Sequence, residues 1–352
     1  MKKMFMAAGM AAVMTACGTA GQKAATDAGN PFLAEYSTPF GVPPFDLIKV
    51  EHYKEAFLKG MEEQKKEIDA IVNQRSVPDF DNTIAAFDQS GELLNKVSTV
   101  FSGLNSCNTN DEMQAFNKKI TPLLSAHRDD ISLNPALFAR VKEVYERREK
   151  LGLDKEQNKL LEETYKKFVR GGANLDSVDQ AKLRQLNSEI SMLQLTFGQN
   201  LLKETNAFEL VIDKKEDLAG LPESLVASAA EAAKGAGMEE KWLFTLHNPS
   251  VMPFLQYADN RELREKIFKG YINRGNNGNE ADNNEIVKKL VALRLEKAKL
   301  MGYADYASFI LEDRMAKNEE NVYRLLNQIW TPAVAKAKEE LSDIQSEIKK
   351  EG

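Results

Sequence analysis

Histidine and cysteine are scarce in this chain: three of the first and two of the second in 352 residues. His52, His127 and His247 lie far apart in sequence. No two of them can grip a metal from one helix face, as an i, i+4 pair of imidazoles does. No Gly-x-Ser-x-Gly elbow, phosphate-binding loop or dinucleotide fingerprint is present. An excess of basic residues is missing as well. There are 47 Lys and Arg against 53 Asp and Glu, for a net charge of −6. That balance excludes a nucleic-acid binder, which needs a basic face to displace counterions from phosphate. Internal repeats and low-complexity tracts are absent too.

What is present is enough for a large core, with 43% hydrophobic and 28% charged residues. The first segment reads as targeting signal. Lys2 and Lys3 supply a positive start, and Met4 to Met14 form an apolar run too short to span a bilayer. Small residues lead to Cys17, so residues 1–16 are expected to be a signal peptide of bacterial lipoprotein type, with Met14 where Leu is more usual. Cleavage before Cys17 would be coupled to lipidation of its sulfur, and several acyl chains anchor a protein stably where one does not. Removing Lys2 and Lys3 would take the net charge to −8. Residues 17–29 are then the lipidated cysteine and a small, polar tether. The expected location is the cell envelope, lipid-anchored and facing the periplasm. With Cys17 acylated, Cys107 has no partner for a disulfide and is expected to be buried.

From residue 30 onward the periodicity is helical. Ser177 to Phe208 is the longest such stretch, with Leu183, Leu186, Ile190, Leu193, Phe197 and Leu201 on one face. Ser177 and Gln180 are spaced as a capping box. The helix is expected to break at Thr205-Asn206 and to serve as a strut. Before it, helices are expected over Lys49–Asn73, Pro78–Leu104, Met113–Leu133, Pro135–Gly152 and Asp154–Arg170. Only Ala207–Ile212 and Lys241–Leu246 read as strands, with a helix from about Pro222 to Gly235 between them, giving a small β-element over 207–246. Helices resume near Val251, over Arg261–Arg274, Asn283–Met301 and Tyr306–Leu311. A last one runs from Asn318 to the end and is expected to kink at Pro332. The expected fold class is therefore mainly α.

The candidate chemistry is thin. Each histidine is expected to be at the surface or bonded locally. Glu62-Glu63, Asp129-Asp130 and Glu162-Glu163 lie in amphipathic helices and are expected on solvated faces. From the residues alone, no catalytic or metal-binding residue is assigned.

The order of several stretches carries more. NPF…TPFGVPPFDLIKVEHY, FDNTI, SCNTN, LLEETYKKFVRGGANL, FGQNLLKETNAF, LAGLPES and LRLEKAKLMGYADYASF succeed one another. In order and spacing, residues 30–352 resemble the thimet-oligopeptidase-like (M3) zinc metallopeptidases, and most of all their peptidyl-dipeptidase branch. The resemblance implies a multi-helical, clam-like enzyme with a cleft that takes short unstructured peptides. In that family a zinc ion, held by a His-Glu-x-x-His helix and a later Glu, activates the attacking water. Peptidyl-dipeptidases release dipeptides from the C-terminus. The zinc helix belongs to the family's C-terminal half, and no His-Glu-x-x-His occurs among these residues, so none of its roles transfers.

Two expectations follow. In the first, this chain is the N-terminal part of a lipid-anchored zinc peptidyl-dipeptidase, truncated ahead of the catalytic domain, binding no zinc and inactive by itself. In the second, it is a stand-alone helical lipoprotein that binds peptides or a partner without catalysis.

Overall fold

The computed structural model describes residues 29–351. Cys17, the signal segment and nearly all of the tether lie outside these residues. The fold is mainly α, with one two-stranded antiparallel sheet.

Helix α1 (Val50–Val72) is the first organising element. Its buried residues Tyr53, Phe57 and Met61 recur every four positions, and Ile68 follows two turns later, so one stripe faces inward. After it, a π-type turn (Phe80–Ala85) feeds a short α2 (Ala86–Gln89). The single helix expected here is interrupted at Ser90-Gly91. Gly91 adopts φ +79, and its N–H donates to Glu67 Oε2 at 2.7 Å. A Cβ at that φ is strained, so glycine marks the break. α3 (Glu92–Cys107) then packs along α1, close enough that a Cβ on Gly60 would meet the Leu94 backbone at 2.9 Å.

α4 (Asp111–Ser132), α5 (Pro135–Glu146) and α6 (Lys155–Arg170) start where side chains cap free backbone N–H groups. Asn110 caps α4, Asn134 caps α5, and Asp154 forms a reciprocal box with Gln157. One core gathers Phe32, Tyr53, Phe57, Phe101 and Met113, its rings meeting edge-on or tilted. A second holds Ile68, Ile84, Leu137, Val141 and Phe168.

The long helix, α7, spans Ser177–Ala207. Its cap is Asp176 rather than Ser177: the Asp176 carboxylate accepts from the N–H groups of Val178 and Asp179, both at 2.9 Å. Gln180 turns outward from a capping role and donates to the Leu175 carbonyl. The helix also continues through Thr205-Asn206, where a break was expected.

β1 (Leu210–Ile212) and β2 (Trp242–Phe244) fall within the two stretches expected as strands and pair antiparallel with Val211 opposite Leu243. A lone pair of strands is marginal in water. Here α8 (Glu223–Gly235) and α9 (Asn248–Tyr257) supply the apolar partners through a core of Leu210, Phe244, Leu246 and Phe254. α10 (Arg261–Ile272), α11 (Asn284–Leu300), α12 (Tyr306–Leu311) and α13 (Glu319–Glu351) complete the described chain. α11 packs on α7. α13 runs as one helix through Pro332, with no break at the expected kink.

Candidate functional site

The three histidines stand in three separate settings. His52, in the first turn of α1, accepts the Lys49 N–H on Nδ1 at 3.0 Å. His247 precedes α9 and lies 2.9 Å from Thr245 Oγ1 and 3.2 Å from Asn206 Oδ1. His127 departs from the expectation of a surface or locally bonded residue. It is buried on α4, and its Nε2 meets Gln64 Oε1 of α1 at 2.7 Å. An amide oxygen only accepts, so Nε2 carries the proton and Nδ1 is left buried without a partner. Burial, and then the charge of Lys65, lower the His127 pKa. The signal for this was present: His127 falls on the α4 stripe of Met113, Phe116, Ile120 and Leu124.

The acidic pairs divide. Glu62 binds Lys66 at 2.6 Å, and Glu162 and Glu163 bind Lys166 and Lys159 at 2.7 Å on solvated faces. Asp130 is exposed and pairs with Arg184 at 2.8 Å. Asp129, expected on a solvated face, is buried. It points toward α7, where Asn187 Nδ2 donates to it at 2.8 Å, while Asn187 Oδ1 accepts from Lys297 Nζ of α11 at 2.6 Å. One amide thus bridges a carboxylate and an ammonium from two other helices. Burial raises the Asp129 pKa and lowers that of Lys297.

A second buried carboxylate closes the other end of α7. Glu204 accepts from the Gly275 backbone N–H, from Asn277 Nδ2 at 3.0 Å and from Asn279 Nδ2 at 2.6 Å. Burial alone would raise its pKa; the three donors outweigh that and hold it below the usual carboxylate range. The Gly275–Asn279 loop was legible as a loop, and Glu204 in phase with Phe197 and Leu201 was the sign of what orders it. Asn283, also buried, ties the same loop back to α7 through the Phe197 carbonyl at 3.1 Å.

Cys107 is exposed, against expectation. It occupies the last turn of α3 beyond the buried Phe101, and its thiol reaches only the Gly103 carbonyl of the preceding turn at 3.1 Å. Among the described residues no three His, Cys, Asp or Glu side chains converge on a point that could hold a metal ion. The donor set for the zinc implied by the resemblance is not among them, and Glu204 has its lone pairs taken by N–H donors. No described helix is long and apolar enough to cross a membrane.

A cavity of about 600 Å³ lies where α1, α3, α4 and α6 approach one another. Gln64 and His127 line it together with Phe87, Leu124, Ile131 and Phe168. Nothing in the sequence pattern marks it, because its walls come from positions as far apart as Gln64 and Gly171.

The sequence model described as Peptidase family M3 matches residues 254–352, from α9 through α13. Over 322 residues, 92% of this chain, the sequence is 40% identical to the dipeptidyl carboxypeptidase of Escherichia coli K12, 47% of whose length is matched. The dipeptidyl carboxypeptidase of Salmonella typhimurium is 39% identical over 91% of the chain and 47% of its own length. Oligopeptidase A of Haemophilus influenzae is 29% identical over 88% of the chain and 46% of its own length. The chain spans about half the length of the curated relatives it matches. It belongs to peptidase family M3.

Proposed function

We propose that this chain supplies the helical wall of a zinc-dependent dipeptidyl carboxypeptidase that acts on short peptides. In this reading the metal and its chemistry reside in the part of the relatives that these 352 residues do not match. The observation that carries it is the 40% identity to a dipeptidyl carboxypeptidase over nearly the whole chain, against 29% to an oligopeptidase A. The lower figure for the oligopeptidase favours dipeptide release over internal cleavage. A second support is α13, which lies inside the segment matched by the family model and leaves Leu325, Ile329, Trp330, Leu341 and Ile344 exposed. A catalytic half would bury such a face.

The proposal includes the envelope location. Cys17, after an apolar segment and before a polar tether, would carry the lipid and hold the enzyme facing the periplasm. Zinc analysis and dipeptide release from an N-acylated tetrapeptide test the catalytic part. The chain alone is expected to bind no stoichiometric zinc and release no dipeptide, and the coding DNA past codon 352 is expected to contain a His-Glu-x-x-His. Peptidase activity from the pure chain, or no such motif in any frame, would overturn the reading. Fractionation tests the anchor: Cys17→Ala should move the protein from the membrane to the soluble fraction.

A further inference from the structure

The cavity between α1, α3, α4 and α6 is unused by the peptidase reading, and its lining is chemically one-sided. The chain carries 53 acidic residues, yet no carboxylate lines this space. Two cations do, Arg128 of α4 and Lys167 of α6. Their placement follows from the helix ends. Gly171, just past α6, sits against Ser132, the last residue of α4; a Cβ on Gly171 would lie 3.2 Å from that of Ser132. Arg128 and Lys167 are each four residues, one turn, before those touching positions. Both are exposed, and among the described residues neither side chain makes a hydrogen bond or ion pair. Nearby, Asp130 is paired with Arg184 and Lys65, and Lys166 with Glu162, while Asp88 and Asp313 lie with Lys167 on an adjoining concavity rather than in this one. Behind the cations the wall is apolar, with Phe87, Leu124, Ile131 and Phe168.

We propose that this cavity binds a small carboxylate with an apolar body, the body against the aromatic and aliphatic wall and the carboxylate between Arg128 and Lys167. A guanidinium fork and an ammonium lining one cavity can both serve one carboxylate, and exposed rim cations bring it in while the wall removes apolar surface from water. About 600 Å³ lies in the range of small-molecule sites. The hydroxyls of Ser98 and Ser102 add neutral donors without competing charge. The carboxylate could belong to a medium-chain fatty acid or to the C-terminus of a peptide with an apolar last residue. The inference stands independently of the peptidase reading.

Calorimetric titration of the chain from residue 18 onward, which includes every described residue, tests it. The probes are decanoate, N-acetyl-Leu-Phe and N-acetyl-Leu-Phe-amide. Saturable one-site binding of at least one of the two carboxylates is expected, with the amide at least tenfold weaker. The tighter carboxylate identifies the source. Arg128→Ala and Lys167→Ala should each weaken that binding about fivefold or more while leaving the melting temperature unchanged, because neither side chain holds the fold. Absence of binding by both acids would overturn the proposal. So would equal binding of acid and amide, or an affinity that survives the double variant.

Discussion

Two helices of nearly equal length, α7 with 31 residues and α13 with 33, carry apolar stripes of the same kind and end up in opposite environments. α7 is flanked by α4 and α11 and buries Leu183, Leu186 and Glu204. α13 touches little beyond α12 and buries nothing among the described residues, although it is the more strongly one-sided of the two. Amphipathicity specifies which face is available for burial. Whether that face is buried depends on a neighbour. The difference extends to polar residues. On α7 the buried Glu204 and the half-buried Asn187 are satisfied by other elements, while charges on α13 pair one turn apart, such as Lys336 with Glu339 at 2.9 Å.

The largest expected effect separates the two helices with one residue type. Leu183→Ala empties a fully buried position and should lower stability by about 2–5 kcal/mol in urea unfolding. Leu341→Ala on α13 should change it by no more than about 0.5 kcal/mol, since Leu341 is 57% exposed. Similar losses at both positions would show that α13 is covered in solution and would dissolve the contrast.

The second effect concerns charge. Glu204→Gln keeps the size but replaces one acceptor oxygen by an NH₂ group that faces N–H donors from Gly275, Asn277 and Asn279. A loss of about 1–3 kcal/mol is expected, with faster amide exchange across residues 275–279. The matched change Glu339→Gln on α13 breaks only an exposed pair and should be near neutral. Unchanged exchange in the loop would refute the ordering role of Glu204.

A third, smaller effect appears as pH dependence and involves α4, the partner that α13 lacks. The His127 pKa in the folded protein is lowered from its ordinary 6.5, so the ring stays neutral when folded at a pH where it would charge when unfolded. Its contribution is therefore present above pH 6.5 and is lost as pH falls below 6.5 toward the folded-state value. His127→Gln removes that component. Between pH 6.5 and 5 the variant should lose stability less steeply than the parent, by up to about 1.4 kcal/mol per pH unit. Parallel slopes would mean that the ring is already protonated or exposed.

Most of the scaffold was legible because local and tertiary demands agree. α6 starts at the expected Asp154, which caps it, Pro135 opens α5, and the two expected strand stretches meet as Leu210–Ile212 against Trp242–Phe244. The capping error at α7 shows the limit of such local codes. Asp176 and Ser177 both stand before good helix formers, and the carboxylate, with its stronger acceptor oxygens, takes the position. His127, Asp129 and Glu204 were misplaced or passed over for a shared reason. Composition assigns polar side chains to solvent, whereas their phase on the helix placed them against a neighbour. The cavity was not legible at all. Gln64 and Lys167 meet there only because four helices pack in a particular order, which no window of sequence contains.

The smallest expected effect lies at the end of α3 and concerns the residue whose burial was inferred from its type. Free cysteine behaves on average as a small hydrophobe, and an oxidising compartment favours hiding one. Position overrides type here, because Cys107 is the last residue of α3, about a turn beyond the half-buried Leu104, and its thiol is directed at its own backbone. Replacing it by Ser should preserve that contact and change stability by no more than about 0.5 kcal/mol. In a chain starting at residue 18, a thiol reagent should then modify one cysteine in the native state as fast as in urea, without altering the unfolding midpoint. A native-state reaction many times slower than the unfolded one would place Cys107 inside an interface, the same kind of hidden cover that the Leu341 measurement would reveal on α13.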